Sequence, residues 1–338
     1  MKTIEWKDGL VVTIDQTRLP TRTVLLKMKE CDEVADAIRK MKIRGAPLLG
    51  VAAAYGLALT AYHSKAETKE QLIRELEASA AALRKTRPTA VNLFWAIDRI
   101  LKRAHETPGS SRDIAKVIVD EAQKIAEEDA KVNRKIGEYG SALIKDGDTV
   151  LTHCNAGSLA TVEYGTALGV IRAAWKRGKR IEVIATETRP QLQGARLTAY
   201  ELKREKIPVT LITDNMVGFV MAEKGVNLVI VGADRIVRDA VINKIGTYSI
   251  AVLAKEHGVP FYVAVPTSTL DLAHSSNDVV IEERNAEEVT HFRSQRIAPR
   301  GVKVMNPSFD MTPMKYVSGI ITEAGVLTPE NLKQWQRV

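Results

Sequence analysis

Residues 147–160 read Gly-Asp-Thr-Val-Leu-Thr-His-Cys-Asn-Ala-Gly-Ser-Leu-Ala. A short apolar run, Thr149–Thr152, reaches Cys154 and breaks at Asn155-Ala156-Gly157, and residues of good helix propensity follow. This is the grammar of a strand, a tight turn and the start of a helix. It puts Cys154 at the carboxyl end of the strand and near the helix's first amides. Ligands bind outside the carboxyl ends of strands in open parallel sheets, and helix N-termini favour thiolates and phosphates. Free cysteines are nevertheless most often small buried core residues. What the other strand ends carry must decide.

From residue 147 onward, apolar runs recur at 149–153, 181–185, 208–213, 226–231 and 260–265. Helical patterns fill the gaps at 158–177, 191–205, 215–224 and 244–257, and a last helix is expected at about 313–324. Near-continuous Val/Ile/Leu strands separated by helices predict a parallel sheet covered on both faces. The fold class is therefore α/β with a C-terminal Rossmann-like domain. After the five runs come Cys154-Asn155, Thr186-Glu187-Thr188-Arg189-Pro190 with Gln193, Thr213-Asp214-Asn215, Gly232-Ala233-Asp234-Arg235, and Pro266-Thr267-Ser268-Thr269. By the strand-end rule these polar groups converge on one crevice, which moves Cys154 from structural to functional. Asn243 and Lys244 are expected at another helix N-terminus on the same edge, Asn243 reading otherwise as an N-cap.

The first 130 residues follow different rules. Thr3–Trp6, Leu10–Asp15 and Thr21–Met28 alternate as a short antiparallel meander. Helical spacing begins at Cys31, and amphipathic helices are expected at 66–84 and 112–143. Domains of 1–130, mostly helical with a small sheet, and 131–338, Rossmann-like, follow. Two loop-to-helix junctions stand out. Arg44-Gly45-Ala46-Pro47 precedes a helix of small residues, with Pro47 suited to a first turn, and Arg87-Pro88 precedes the helix from Val91. Each arginine reads either as a ligand contact or as a solvated surface charge.

Composition narrows the choice of partner. The 338 residues hold 49 Lys and Arg against 41 Asp and Glu, a net charge of +8, with 45% apolar residues. The excess suggests an anionic ligand, but no basic cluster with interleaved aromatics supports nucleic acid. Leu48–Tyr62 is the longest apolar run, short of the roughly 20 residues of a membrane span. Met1–Trp6 lacks the apolar core of a signal peptide, so the cytoplasm is the expected location. Cys31 and Cys154 form no disulfide framework, and neither they nor the six histidines show metal-ligand spacing. The first strand–helix turn reads CNAGSLAT rather than G-x-G-x-x-G, which speaks against a dinucleotide. His153 should face away from Cys154 across the strand, so adjacent residues make no Cys–His dyad.

Long stretches are familiar. RGAPLLG at 44–50, RPTAVNLFWA at 87–96, THCNAGSLAT at 152–161 and ETRPQLQGARLTAYEL at 187–202 resemble methylthioribose-1-phosphate isomerases. So do GADRI at 232–236, NKIGTYSIAVLAKEHGVPFYVAVPTSTLD at 243–271, IEER at 281–284 and NPSFDMTP at 306–313. That family shares its fold with regulatory subunits of translation initiation factor 2B and with ribose-1,5-bisphosphate isomerase. The resemblance implies an aldose–ketose isomerase of methionine salvage, converting 5-methylthioribose 1-phosphate to 5-methylthioribulose 1-phosphate. It implies no metal, no organic cofactor and a homodimer. Cys154 and Asp234 match the catalytic pair, Asp234 as general acid and Cys154 as base or transition-state stabiliser. Arg44, Gly45, Ala46, Arg87, Gln193, Asn243 and Lys244 match substrate-binding positions. One departure lies between GADRI and NKIGT, where Val237–Ile242 replaces a slightly longer turn. The rival readings are an isomerase of another pentose 1-phosphate, such as ribose 1,5-bisphosphate or 5-deoxyribose 1-phosphate, and a non-catalytic initiation-factor-2B-like regulatory subunit.

Overall fold

The computed structural model describes residues 1–292 and 294–332; residues 333–338 of the expected second domain lie outside the described residues. The chain divides into two compact units, Met1–Lys135 with Ala156–Gly169, and Ile136–Asn155 with Val170 onward. A single cut after residue 130 would not describe this division, because the chain returns to the first unit directly after Asn155.

In the first unit, β1 (Ile4–Lys7), β2 (Leu10–Ile14) and β3 (Leu25–Met28) form an antiparallel sheet in sequence order, Trp6 opposite Val11 and Val12 opposite Lys27. Helices α1 (Cys31–Arg39), α2 (Ala46–His63), α3 (Lys69–Arg84), α4 (Val91–Glu106) and α5 (Ser111–Ser141), the last belonging to this unit as far as Lys135, follow. Of these α2 is central. Fourteen of its 18 residues are buried, and a helix apolar on every face is a core helix. Its small residues admit neighbours closely: a Cβ at Gly50 would lie 2.8 Å from the Asn92 carbonyl oxygen of α4. Amphipathic α3 buries Leu72, Leu76, Ala80 and Leu83 and is capped by Thr68, whose hydroxyl accepts the Gln71 amide, with Gln71 reaching back.

The segment Ala156–Gly169 belongs to this unit because side chains there take up its backbone. Thr3 donates through its N–H to the Val162 carbonyl at 2.8 Å and through Oγ1 to Ser158 at 2.5 Å. Gln16 Nε2 donates to Leu159, and the Asp129 carboxylate of α5 accepts the Val162 N–H at 2.7 Å. The helix expected at 158–177 consequently starts late. Only a 3-10 turn forms at Ser158–Ala160, and α6 spans Ala167–Lys176.

The second unit is built on a seven-stranded sheet. Its strands are β4 (Thr149–Thr152), β5 (Glu182–Thr186), β6 (Val209–Ile212) and β7 (Leu228–Val231), then β10 (Phe261–Ala264), β14 (Gly319–Thr322) and β15 (Gly325–Leu327). The spatial order is β15-β14-β10-β7-β4-β5-β6, parallel throughout except β15. From β4 the chain adds β5 and β6 on one side, then returns to add β7, β10 and β14 on the other. This is the doubly wound order, and its switch point falls between β4 and β7. Helices α7 (Ala199–Arg204), α8 (Val217–Lys224) and α9 (Thr247–Glu256) accompany the strands. A smaller sheet, β13-β9-β8, joins β8 (Arg235–Ile236), β9 (Ala240–Lys244) and β13 (Phe309–Pro313). Further short elements include α10 (Glu287–Thr290), the pair β11 (His291–Phe292) and β12 (Gln295–Arg296), and α11 (Pro329–Leu332).

Two expectations fail here. The helix predicted at about 313–324 is instead a 3-10 turn, Met314–Tyr316, followed by β14, and β15 begins just beyond it. The run Gly319-Ile320-Ile321-Thr322 is buried throughout, a β-branched stretch suited to an interior strand, and Gly325 turns the chain at φ 128°. Likewise Asn243 and Lys244 end a strand rather than open a helix.

Gly50→Ala should lower stability. The helix-propensity gain of about 1 kcal/mol is outweighed by overpacking of about 1–3 kcal/mol against a backbone carbonyl that cannot rotate away. A Gly56→Ala control, 3.3 Å from the Cys31 sulfur, should cost less. Equal melting temperatures for Gly50→Ala and the parent would show that α2 and α4 have room to separate.

Candidate active site

Cys154 leaves β4 two residues after its last ladder residue and is half-buried. Its φ is 60°, and Thr188, two residues beyond β5, has φ 63°. Side-chain-bearing residues adopt this left-handed region rarely, branched ones most rarely, at about 1–3 kcal/mol each. Side chains hold them there. The Cys154 N–H donates to Thr188 Oγ1 at 2.9 Å, and Thr198 Oγ1 donates to the Cys154 carbonyl at 2.6 Å. The Asp214 carboxylate, following β6, accepts the N–H of Thr188 at 2.8 Å and of Arg189 at 2.7 Å. Asn155 Nδ2 donates to Glu201 Oε1 at 3.0 Å, and Glu201 is in turn paired with buried Arg172.

The residue before Cys154 points elsewhere. His153 lies between Thr186 Oγ1 at 2.6 Å from Nδ1 and the Ile245 carbonyl at 2.9 Å from Nε2. A carbonyl only accepts, so Nε2 carries the proton and Nδ1 accepts from the threonine. Burial pushes the His153 pKa down and keeps the ring neutral. It thus ties the end of β4 to the turn that follows Lys244.

Across the switch point, Asp234 is the third residue after β7 and half-buried, and its N–H donates to the Ile242 carbonyl at 3.0 Å. That bond places it beside Asn243 and Lys244 at the end of β9. Asn243 Nδ2 donates to Thr247 Oγ1 at 3.0 Å, while Lys244 Nζ donates to the Ser308 carbonyl at 2.8 Å and stands 4.8 Å from the Phe309 ring centroid. Both are buried. The N-terminus of α9 is capped not by Asn243 but by Asp310 of β13, whose carboxylate accepts the Gly246 N–H at 2.7 Å and the Tyr248 N–H at 3.1 Å. Burial raises the Asp310 carboxyl to about 6 even though both amides pull it down. Gln193, 4% exposed, keeps its side-chain carbonyl oxygen without a hydrogen-bond partner among the described residues. A buried acceptor left open in this way fits a hydroxyl donor from a ligand.

In the first unit, Arg44 is buried and precedes Gly45, which caps α2 at φ 102°. A Cβ at Gly45 would lie 2.5 Å from the Ala160 Cα, so only glycine admits that backbone. Ala46 is the first residue of α2, and an Arg87 guanidinium N–H reaches Met41 Sδ at 3.3 Å, three residues ahead of Arg44. Both predicted arginine junctions therefore meet at one turn.

The initiation factor 2 subunit family matches residues 42–329. This chain belongs to that family. Within it, a methylthioribose-1-phosphate isomerase of Geobacter metallireducens is 56% identical over 330 residues, 97% of this chain and 95% of the relative. The crystal structure of 5-methylthioribose 1-phosphate isomerase from Pyrococcus horikoshii OT3 matches with TM-score 0.91 and 48% identity, covering 98% of this chain and 95% of that one. A crystal structure described as translation initiation factor eIF-2B, subunit delta, from A. fulgidus matches with TM-score 0.88 and 50% identity, covering 99% and 100%. For a chain of this family, three groups around Cys154 escaped sequence reading: Thr188, Thr198 and Asp214. Thr188 and Asp214 stand among the quoted strand-end residues, and no local signal sets them apart. Among the described residues, no three or more His, Cys, Asp or Glu side chains are grouped to hold a metal ion, and no helix is long and apolar enough to cross a membrane.

Two carboxyls give the unfolding equilibrium a pH dependence. Burial raises Asp310 to about 6, and it raises Asp129 of the first unit to about 7. Each binds its proton more tightly folded than unfolded, so its stabilisation is complete below about 4 and is lost as pH rises through the folded value. Each of the two carboxyls contributes a fall in the urea midpoint between pH 4 and 7, opposed by the rise that the lowered pKa of buried His153 contributes. Asp310→Asn should flatten the part below about 6, and Asp129→Asn the part reaching 7; a parental slope in both variants would contradict the assignment.

Proposed function

We propose that this protein converts 5-methylthioribose 1-phosphate to 5-methylthioribulose 1-phosphate. It is a sugar-phosphate isomerase by its relatives, which share more than half of their residues with it over nearly their whole length. The observation that carries the chemistry is the placement of Cys154 and Asp234 after β4 and β7, the two strands that flank the switch point of the sheet.

Phosphate on C1 removes the route by which an ordinary aldose opens its ring, loss of the anomeric hydroxyl proton. The ring oxygen must be protonated while the phosphate stays attached. Asp234 is the general acid for that step, which requires a carboxyl that holds its proton at working pH. Hydrogen then moves from C2 to C1. Cys154 serves that transfer, either as base through a cis-enediol or by stabilising a hydride shift. Deuterium from solvent appears at C1 of the product in the first case and not in the second. Arg44, Gly45, Ala46, Arg87, Gln193, Asn243 and Lys244 bind the substrate. The reaction uses no metal or organic cofactor, and the protein acts in the cytoplasm as a homodimer without nucleic acid, a state that sedimentation equilibrium checks.

A second reading, a non-catalytic initiation-factor subunit, draws on the description of the A. fulgidus structure. Turnover separates the two. Purified protein should isomerise methylthioribose 1-phosphate in preference to ribose 1,5-bisphosphate and 5-deoxyribose 1-phosphate; no turnover of any of them favours the regulatory subunit.

Cys154→Ser and Asp234→Asn should each lower kcat by about 10²–10⁴-fold, the usual worth of acid–base assistance. Retention of kcat within a few-fold would remove that residue from the chemistry. Arg87→Lys exchanges a planar fork for a point charge and should raise KM about tenfold with kcat little changed; an unaltered KM would take Arg87 out of the site.

A further inference from the structure

We infer that Thr188 and Asp214 are positioning residues that aim the Cys154 thiol, an inference that rests on Cys154 being the reacting group proposed above. Beyond Thr152 the ladder of β4 has ended, so the backbone of Cys154 has no strand neighbour to fix it. Its N–H and C=O are instead taken by two hydroxyls, those of Thr188 and Thr198, both wholly buried. Thr188 accepts the Cys154 amide from a left-handed conformation of its own, φ 63°. That conformation is stabilised by Asp214, whose two carboxylate oxygens accept the successive amides of Thr188 and Arg189 at 2.8 and 2.7 Å.

The direction in which a side chain leaves its Cα is set by the backbone torsions of the residue. A relay from the carboxylate after β6, through a hydroxyl after β5, to the amide after β4 therefore sets the direction of the Cys154 Cα–Cβ bond, from which χ1 offers the sulfur only a few staggered positions. Hydroxyls that only satisfied buried amides would give no reason for left-handed torsions at both ends of the bond. The Thr188 hydroxyl also contacts Thr186 Oγ1 at 3.3 Å, and Thr186 bonds His153, so the relay is braced on the other face of β4 as well.

Thr188→Val keeps the shape and removes the acceptor, whereas Thr188→Ser keeps the acceptor. Three quantities are read for each: kcat, KM, and the pH profile of Cys154 alkylation by iodoacetamide, followed by peptide mass. Cys31 is a poor competitor, because burial pushes its thiol up to about 11. Thr188→Val should lose about 100-fold in kcat, the scale of an ångström-sized misplacement, with KM within about threefold, and its Cys154 alkylation profile should shift. Thr188→Ser should stay near the parent in all three. A folded Thr188→Val with parental kcat and a parental alkylation profile overturns the inference, as does lost kcat with an unchanged profile, which marks the bond as structural only. Should Thr188→Val not fold, Asp214→Asn decides by the same readings, since its amide group sets a donor against one of the two N–H groups. An altered alkylation profile in a protein whose parent isomerises no sugar phosphate would instead refute the isomerase reading and leave the positioning intact.

Discussion

The backbone of Cys154, held left-handed beyond the end of β4, is the constraint around which the second unit is arranged. Once a strand leaves its ladder, its amide and carbonyl need new partners, since a buried backbone group left unpaired costs as much as a lost hydrogen bond. Here the partners are the hydroxyls of Thr188 and Thr198, from the loop and turn that follow β5. Their own loop is held by Asp214 after β6. Three successive strand ends are thereby locked to one another through a single residue.

The buried guanidinium of Arg172 near Cys154 is paired with carboxylates. Arg172 donates from Nε and Nη2 to Glu205 at 2.5 and 2.7 Å and also faces Glu201, which accepts from Asn155. Such a pair is weak support for stability, because desolvation offsets most of the attraction. It does fix the orientation of the amide next to Cys154. Asp310 likewise orients α9, where its carboxylate accepts the first amides of the helix. The neutral His153 ring links the two halves of the strand edge without adding charge.

In the first unit the governing constraint is steric. A helix buried on every side needs close neighbours, and Gly50 and Gly45 supply the room against Asn92 and Ala160. The conformation of the Arg44 turn follows from that packing, and Arg87 reaches the same turn from the junction before α4.

The sequence alone specifies the α/β class, the meander, five strands of the large sheet and the motifs of the family. Hydrophobic periodicity and strand-end composition are local properties, and they survive any arrangement of the chain. It did not determine that a 3-10 turn and β14 replace a helix, because Met314–Ala324 has apolar spacing that fits either and only burial on both faces selects the strand. Nor did it place Asn243 and Lys244 on β9, since antiparallel pairing with Phe309 and Asp310 comes from residues more than sixty positions away. The positions of Cys154 and Asp234 at strand ends were legible in the sequence. The Thr188–Asp214 relay was not, because a hydrogen bond between strand ends exists only after the sheet has set their order.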